Sequence, residues 1–517
     1  MSYNKLMNNI GFDADPFAKT NADDEERLRM YFIEPPFYNA VYGNPDEADS
    51  KIVFAPRGSG KTALKKMIEN KSQEDNLLCI SYNNFDIGKL KLQEIDMDYH
   101  LINIIRLIVV ALITSIEEKG LSKLSETDRH YLYLFVKNYL SDIEQIELES
   151  SIDSVKNFSD KAKEWWNKFL GPIGIVINVL LTRIGIDKVE IEKFDRQGGS
   201  LGRPQYQLQI LQRLSSKIGH NSIYVLIDRV DEYSFTGNAT NSYKFIKDLL
   251  TNLNILEIKG IGFKFFLWDL ILEDYQIEAR PDRIKYYNLS WKKNQLKSML
   301  SERLKAYSDK KIKSLEDICE FEVNNNSGLG IDDIIILLSQ GSPRNIIRIC
   351  KEILDQQSEI NYSHNKITKE AFVKGIEVFS KNYTHESIDE RVINDLIKVN
   401  RLDFTVRYIY NDVFKFTQQA GISKVKIWQD SGIIEKIGTI QDTIGAKPSN
   451  LYIIKSLLVG KYIFSNLDIF EFIETKTYKC KQCGEMLFRD WDINNKSICS
   501  NCQVDVEKYK SQISFFD

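Results

Sequence analysis

The residues with the clearest chemical meaning form the run A-P-R-G-S-G-K-T, which begins at Ala55. Gly58 and Gly60 allow the backbone to turn its N–H groups inward around an anion. Lys61 can reach the β- and γ-phosphates of a nucleotide, and the Thr62 hydroxyl can ligate Mg²⁺. Ala55 stands where the strict motif has glycine. The predicted phosphate-binding residues are Gly58, Ser59, Gly60, Lys61 and Thr62.

The residues on either side of this loop predict the elements that hold it. Residues 52–54 are a short apolar run suited to a buried strand, and residues 63–69 have the composition of a helix. A phosphate-binding loop needs strand, glycine loop and helix in this order, because the helix N-terminus adds partial positive charge.

A second group of candidate residues consists of acids that follow an apolar run. Residues 223–227 predict a buried strand that ends at Asp228, and Asp231 and Glu232 follow closely. A carboxylate at the C-terminal end of a parallel strand lies at the sheet edge that also carries the phosphate-binding loop. We therefore expect Asp228 to hold Mg²⁺ directly or through water. Asp231 or Glu232 is expected to orient and deprotonate the attacking water.

Other apolar runs predict the rest of the core sheet. Residues 77–82 and 261–268 read as buried strands, and residues 284–289 as a last strand. A long, mostly helical insertion over residues 87–218 separates the second strand from the strand that ends in Asp228.

Three arginines outside the loop are candidates for contact with a nucleotide. Arg280 and Arg283 lie at or before the start of the last predicted strand, where either can act as an arginine finger. Two solvated loop arginines are the favoured alternative. Ser342 and Pro343 predict a capped helix start followed by Arg344, which can face a γ-phosphate. Ordinary capping with an exposed arginine is the alternative there.

Four of the seven cysteines lie near the end of the chain as two C-x-x-C pairs. Each pair makes a tight turn that directs two thiolates at one ion, and four thiolates fill the tetrahedral coordination of Zn²⁺. This pattern predicts a structural zinc ribbon rather than two redox pairs. The predicted zinc ligands are Cys480, Cys483, Cys499 and Cys502.

Composition sets limits on the class of protein. The chain has 517 residues and a net charge of −4, so a nucleic-acid surface has to be a local basic patch. The cysteine pattern suits a reducing cytoplasm. Two apolar stretches, residues 101–116 and 169–181, fall short of the ~20 residues that span a membrane. Buried helices are the favoured reading, with membrane attachment through residues 169–181 as an alternative.

The pattern after residue 386 predicts a winged helix-turn-helix. Two helices over residues 412–419 and 423–431 are expected around a turn at Gly421, followed by wing strands over residues 433–437 and 451–454. Two lysines make the second of these helices mildly basic, which is a weak indication of nucleic-acid binding.

The expected fold class is α/β: a three-layer P-loop NTPase core with a parallel sheet, a helical insertion and a helical lid, then a winged helix and a zinc ribbon. The expected domains are an N-terminal segment packed on the core (1–50), the P-loop core (51–290), the lid (291–385), the winged-helix-like domain (386–470), the ribbon (476–505) and a tail (506–517).

These motifs together resemble P-loop ATPases with an additional core strand, of the AAA+ and STAND-like class, and a bacterial family with a helical insertion between Walker A and Walker B. The residues that carry the resemblance are 31–36 (Y-F-I-E-P-P), 54–62 and 226–232 (L-I-D-R-V-D-E). The resemblance implies ATP as the nucleotide, Mg²⁺-dependent hydrolysis, and Arg344 as a γ-phosphate sensor at a sensor-2 helix start.

Two departures from the AAA+ pattern affect the expected roles. Arg229 stands directly after the Walker B acid, where AAA+ proteins usually have glutamate. The D-x-x-D-E spacing resembles that of STAND-type proteins, which implies Asp231 as the base and Glu232 as second choice. Trp268 and Asp269 stand where AAA+ proteins usually carry Asn, Ser or Thr, which argues against ring-type motor action.

Three functions are compatible with this sequence. The favoured one is an ATP-hydrolysing switch that senses or acts on DNA or RNA, of the kind found in bacterial antiviral defence or mobile elements. The second is an ATP-dependent, oligomerising scaffold that recruits a protein effector and does not bind nucleic acid. The third is a membrane-associated ATPase. The chain lacks an N-K-x-D motif after the Walker B strand, which argues against a GTPase.

Overall fold

The computed structural model describes most of the chain between residues 2 and 502. The residues within that span that it leaves undescribed are 86, 89, 120, 142, 156–159, 168–176, 324–328, 441–447, 466, 475–476, 480–481, 483–485 and 489–501. The described chain divides into two compact units. The core unit comprises Glu34–Ser290 and the short segment Asn21–Asp24, and the C-terminal unit comprises the other described residues.

The core unit is built around a parallel five-stranded sheet. Its strands are β1 (Lys51–Ala55), β2 (Leu78–Tyr82), β3 (Ile223–Ile227), β4 (Ile261–Trp268) and β5 (Tyr286–Asn288), in the order β2-β3-β4-β1-β5. The first four strands are almost entirely buried apolar runs, as expected of strands covered on both faces. The predicted α/β fold class with a parallel sheet is confirmed.

The strand order places β4 between β1 and β3. Ala55 at the end of β1 pairs with Trp268 of β4, and Ile227 at the end of β3 pairs with Phe265. Because all three strands run in the same direction, the residues that follow β1, β3 and β4 meet at one edge of the sheet.

Helices cover this sheet, and most of them belong to the insertion between β2 and β3. Local signals set several helix starts, such as the capping box of Ser125 with Asp128 and Pro204 as a first helical residue. The α-helices of the core unit are Tyr38–Tyr42, Lys61–Glu74, Met97–Lys119, Glu126–Leu140, Gln145–Ser154, Asp160–Asn167, Ile177–Arg183, Lys188–Gln197, Pro204–Ile218, Ala239–Thr251, Leu253–Leu256 and Leu272–Glu278.

The first long helix of the insertion is the most apolar. Within the described chain, Met97–Ile116 is the one helical stretch long and apolar enough to cross a membrane, and 78% of it is buried inside the structure. Its side chains join the same apolar core as β2 and β3. The other stretch considered for membrane attachment, residues 169–181, lies largely outside the described residues.

His100 ties this helix to β2 and to the helix Ala239–Thr251 through two hydrogen bonds in the core. Its Nε2 lies 2.7 Å from the carbonyl oxygen of Phe245 and its Nδ1 lies 3.0 Å from the hydroxyl of Tyr82. A carbonyl can only accept, so Nε2 carries the proton and Nδ1 accepts from Tyr82. Burial lowers the pKa of His100 to about 4, against the smaller effect of the Phe245 carbonyl. The imidazole is therefore neutral in the folded protein.

We expect this histidine to make the core unit sensitive to mild acid. His100 binds a proton near pH 6.5 in the unfolded chain and only near pH 4 in the folded chain. The free energy of unfolding therefore falls as the pH drops through that window. The full loss, about 3 kcal/mol, is reached below pH 4. Urea unfolding at pH 7 and pH 4.5 should show about 2.5 kcal/mol of it. His100→Gln keeps a donor and an acceptor but cannot titrate, so its stability should change less. Equal acid losses in both proteins would contradict the assignment.

The C-terminal unit is mainly helical and carries a small antiparallel sheet. The sheet consists of β6 (Asp403–Thr405), β7 (Ile434–Ile440) and β8 (Ser449–Ile454) in the order β6-β8-β7, and a hairpin of β9 (Thr477–Lys479) and β10 (Met486–Phe488) follows. The α-helices are Ser2–Ile10, Leu28–Tyr31, Lys293–Ala306, Ile331–Ser339, Pro343–Asn361, Lys369–Ser387, Glu390–Val399, Val406–Tyr408, Gln418–Asp430, Leu457–Ile463 and Ile469–Glu474.

One prediction for this unit is wrong. Gly421 does not make a turn between two helices; it lies inside the single helix Gln418–Asp430. A Cβ atom at Gly421 would come within 2.7 Å of the Cβ of Tyr410, so the glycine allows close packing against that residue. β7 covers residues 434–437 of the first strand predicted for a wing, β8 contains the second, and the two strands pair antiparallel.

Candidate nucleotide-binding site

The phosphate-binding loop connects β1 to the helix Lys61–Glu74, named here the P-loop helix. Gly58 and Gly60 have φ angles of 80° and 91°, a region that favours glycine. The Lys61 Nζ donates to the carbonyl oxygens of Ala55 at 2.9 Å and of Pro56 at 3.3 Å. The ammonium therefore lies against the backbone of the loop that it is expected to serve.

The predicted Mg²⁺ partners meet at the sheet edge although 166 positions separate them. The Thr62 hydroxyl donates to Oδ2 of Asp228 at 2.9 Å. Asp228 follows β3 directly and is almost completely buried. Burial raises its pKa, while the charge of Lys65, the Thr62 hydrogen bond and the charge of Lys61 act in the opposite direction. A hydroxyl and a carboxylate are hard oxygen donors and fit Mg²⁺.

The two candidate bases have different surroundings. Asp231 is 4% exposed, and its Oδ2 accepts a hydrogen bond of 2.7 Å from Nε of Arg57 in the phosphate-binding loop. Glu232 is half exposed, and its Oε2 lies 3.7 Å from Nε of Arg229. The structure thus holds Asp231 against the loop and places Glu232 beside Arg229. Both roles in catalysis stay predictions.

A buried group of charges, which sequence reasoning missed, lies behind the loop. Lys65 is fully buried in the P-loop helix, and its Nζ lies 3.7 Å from Oδ1 of Asp23 and 3.7 Å from Oε1 of Glu69. Arg229 donates to Oδ2 of Asp23 at 2.5 Å. Burial alone would lower the pKa of Lys65, but the charges of Glu69, Asp228 and Asp23 outweigh it and raise the pKa. The ammonium therefore stays charged.

The segment Asn21–Asp24 is held to the P-loop helix by this group and by its own backbone. Lys66 donates to the carbonyl oxygens of Ala22 at 2.9 Å and of Asp23 at 2.8 Å. The sequence does not reveal this contact, because the acidic segment and the lysines that bind it are more than 40 positions apart.

The end of β4 adds an aromatic ring and a third carboxylate. The Arg57 guanidinium lies 4.2 Å from the centre of the Trp268 ring, a cation–π distance. Burial raises the pKa of Asp269, the charge of Lys61 opposes the rise, and the charge of Asp231 adds to it. Asp269 is therefore within electrostatic reach of both residues, although the sequence marked it only as a departure from a family pattern.

The arginines outside the loop have local contacts. Arg280 pairs with Asp282 at 2.7 Å, and Arg283 pairs with Glu257 at 2.7 Å, on exposed parts of the core unit. These pairs favour the solvated-loop reading over an arginine finger. Arg344 is exposed and occupies the second position of the helix Pro343–Asn361 in the C-terminal unit. Its role as a phosphate sensor stays a prediction.

The predicted zinc site cannot be assembled from the described residues. Cys480, Cys483 and Cys499 lie outside them, and Cys502 is described only as partly exposed. Within the described residues, no group of three or more His, Cys, Asp or Glu side chains is placed to hold a metal ion. Zn²⁺ therefore rests on the C-x-x-C spacing alone.

The chain is only distantly similar to known proteins. No protein-family model matches it. It is 27% identical over 178 residues to the DNA-directed RNA polymerase subunit beta'' of Tupiella akineta; the match covers 31% of this chain and about a twentieth of that subunit's length. A match to so small a part gives no information on activity.

Two solved structures of Aeropyrum pernix proteins are similar over most of the chain. The ORC2 protein in its ADPNP–ADP complexes is 11% identical, with a TM-score of 0.37, and 86% of this chain and 98% of that chain are covered. The ORC1 protein in complex with DNA is 9% identical, with a TM-score of 0.35, and 87% and 97% are covered. A likeness of this size does not establish a shared fold or activity.

Proposed function

We propose that this chain binds ATP with Mg²⁺ at the phosphate-binding loop, hydrolyses it, and works as a molecular switch. One observation supports this most directly: the hydrogen bond between Thr62 and Asp228, formed beside Lys61 at the carboxyl edge of a parallel sheet. These three groups have separate tasks in phosphoryl transfer, and folding brings them together from distant parts of the sequence.

Each residue has a defined part in the proposed reaction. The backbone N–H groups of the loop and the helix N-terminus bind the phosphates. Lys61 exchanges the carbonyl oxygens of Ala55 and Pro56 for phosphate oxygens. Thr62 and Asp228 would hold Mg²⁺, which neutralises charge on the phosphates when bound. Asp231 orients the attacking water and takes its proton.

The first test is nucleotide binding by the full-length chain and by Lys61→Ala. Loss of the ammonium should weaken ATP binding by about 10- to 100-fold, because a charged hydrogen-bond donor to phosphate contributes about 1.5–3 kcal/mol. Isothermal titration with MgATP measures the affinity. Lys71→Ala, in the last turn of the same helix, is the matched control and should bind as wild type does. Equal affinity in Lys61→Ala would rule out the proposed site.

We further propose that the switch acts on DNA or RNA through residues 386–470, which we interpret as a winged helix, and through the zinc ribbon. The helix Gln418–Asp430 followed by the antiparallel β7–β8 pair supports this, with Lys426 exposed on that helix. Phosphate release should rise when DNA or RNA is added, and the rise should fall with salt. Release that ignores nucleic acid would favour the scaffold that recruits a protein effector.

A further inference from the structure

The residue Arg57 lies within the phosphate-binding loop, but its side chain reaches across to the loop after β3. Its Nε donates to Oδ2 of Asp231 at 2.7 Å. Its Nη2 donates to the main-chain carbonyl oxygen of Asp231 at 2.7 Å and to that of Gly237 at 3.3 Å. Trp268, at the end of β4, lies below the guanidinium. One side chain thus connects the residues that follow β1 and β3 with the last residue of β4.

We infer that Arg57 is a positioning residue that fixes the carboxylate of Asp231 for its part in ATP hydrolysis. This inference rests on the proposed function, since it gives Asp231 a reaction to serve. Motif spacing assigns Arg57 no task, because it stands at one of the four variable positions between Ala55 and Gly60.

The geometry of the pair explains how the carboxylate is fixed. A guanidinium is planar and carries its donors in a rigid fork. One arm of the fork binds the side chain of Asp231 and another binds its main chain, so both the rotamer and the loop position are set. The ring of Trp268 limits movement of the guanidinium out of this plane. Arg57 engages Oδ2, and we assign Oδ1 to the attacking water.

The two partners of this pair differ in exposure. Asp231 is 4% exposed, whereas the Arg57 side chain is 47% exposed. Loss of the guanidinium therefore leaves a buried carboxylate without this partner, and the vacated place is open to solvent. Within a reaction site the effect on rate is large, since a misplacement of about 1 Å can slow a reaction about 100-fold.

The test compares wild type with Arg57→Ala in steady-state ATP hydrolysis by the full-length chain. We expect kcat to fall by about 10- to 100-fold while the KM for ATP stays within about threefold of wild type, since the nucleotide contacts of Lys61 and Thr62 remain. Added guanidinium ion should restore part of kcat in Arg57→Ala, because the emptied place is open to solvent. Arg57→Lys, which lacks the fork, should recover less than half of the loss.

A double variant identifies the group through which Arg57 acts. If it acts through Asp231, Arg57→Ala combined with Asp231→Asn should hydrolyse ATP no more slowly than Asp231→Asn alone. Independent losses that multiply would overturn the inference. A rate in Arg57→Ala equal to or higher than that of wild type would also overturn it, because Arg57 would then have no effect on hydrolysis or would inhibit it. A change in KM without a change in kcat would overturn it as well.

The outcomes separate this inference from the proposed function. Absence of hydrolysis by the wild-type chain under all conditions would remove both. Hydrolysis by wild type that Lys61→Ala abolishes, together with an unchanged kcat in Arg57→Ala, would remove the inference alone. A lowered thermal midpoint in Arg57→Ala with no response to guanidinium would assign Arg57 a structural role and would also overturn it.

Discussion

Asp231→Asn is expected to lower kcat for ATP hydrolysis by about 10²- to 10⁴-fold, the usual contribution of a general base. The amide oxygen of Asn can still accept the hydrogen bond from Arg57, so the loop keeps its shape while the basic oxygen is lost. Binding of ATP should change little, because Lys61, Thr62 and Asp228 are untouched. Phosphate release under saturating ATP measures the effect.

The neighbouring acid provides the control for this prediction. Glu232→Gln removes a carboxylate that is half exposed and turned toward Arg229, so kcat should stay within about threefold of wild type. The reverse ranking, with Glu232→Gln the slower enzyme, would assign the base to Glu232 and would contradict the role given to Asp231.

Lys65→Met is expected to destabilise the core unit by about 3–5 kcal/mol, the cost of breaking a buried ion pair from one side. The methionine fills similar space, but Asp23, Glu69 and Asp228 lose the cation that lies among them. The midpoint of urea unfolding, followed by circular dichroism, measures the loss.

A second substitution tests the electrostatic cause of this loss. Glu69→Gln added to Lys65→Met removes one of the uncompensated carboxylates and keeps an oxygen for the hydrogen bond from Ser81. The double variant should regain part of the lost stability. A loss below about 1 kcal/mol in Lys65→Met would mean that the buried charges are compensated in another way.

The sequence was sufficient for the elements whose signals are local. The strand predicted over residues 261–268 has the bounds of β4, because a run that is apolar except at Lys264 leaves little alternative to a central strand. The pairing of Thr62 with Asp228 followed from the general rule that loops at the carboxyl ends of parallel strands meet. Both inferences need only residue types and their order.

Contacts between side chains that are distant in the sequence could not be predicted from it. Lys65 lies in a helix of mixed composition and reads as a surface residue, yet it is fully buried because Asp23 and Glu69 neutralise it. Gly421 reads as a turn, yet it serves the close approach of Tyr410. In each case the deciding partner is a residue whose position depends on packing, which a residue pattern does not record.

The stacking of Arg57 on Trp268 also allows the site to be followed by tryptophan fluorescence. Indole emission depends on charge and solvent at the face of the ring, and this ring has a cation as its neighbour and is partly exposed. Trp165, Trp166 and Trp428 are buried among apolar side chains, Trp291 is partly exposed like Trp268, and Trp491 lies outside the described residues. In a background with Trp291→Phe and Trp491→Phe, Trp268 is therefore the remaining partly exposed fluorophore, at the point where Arg57 holds Asp231.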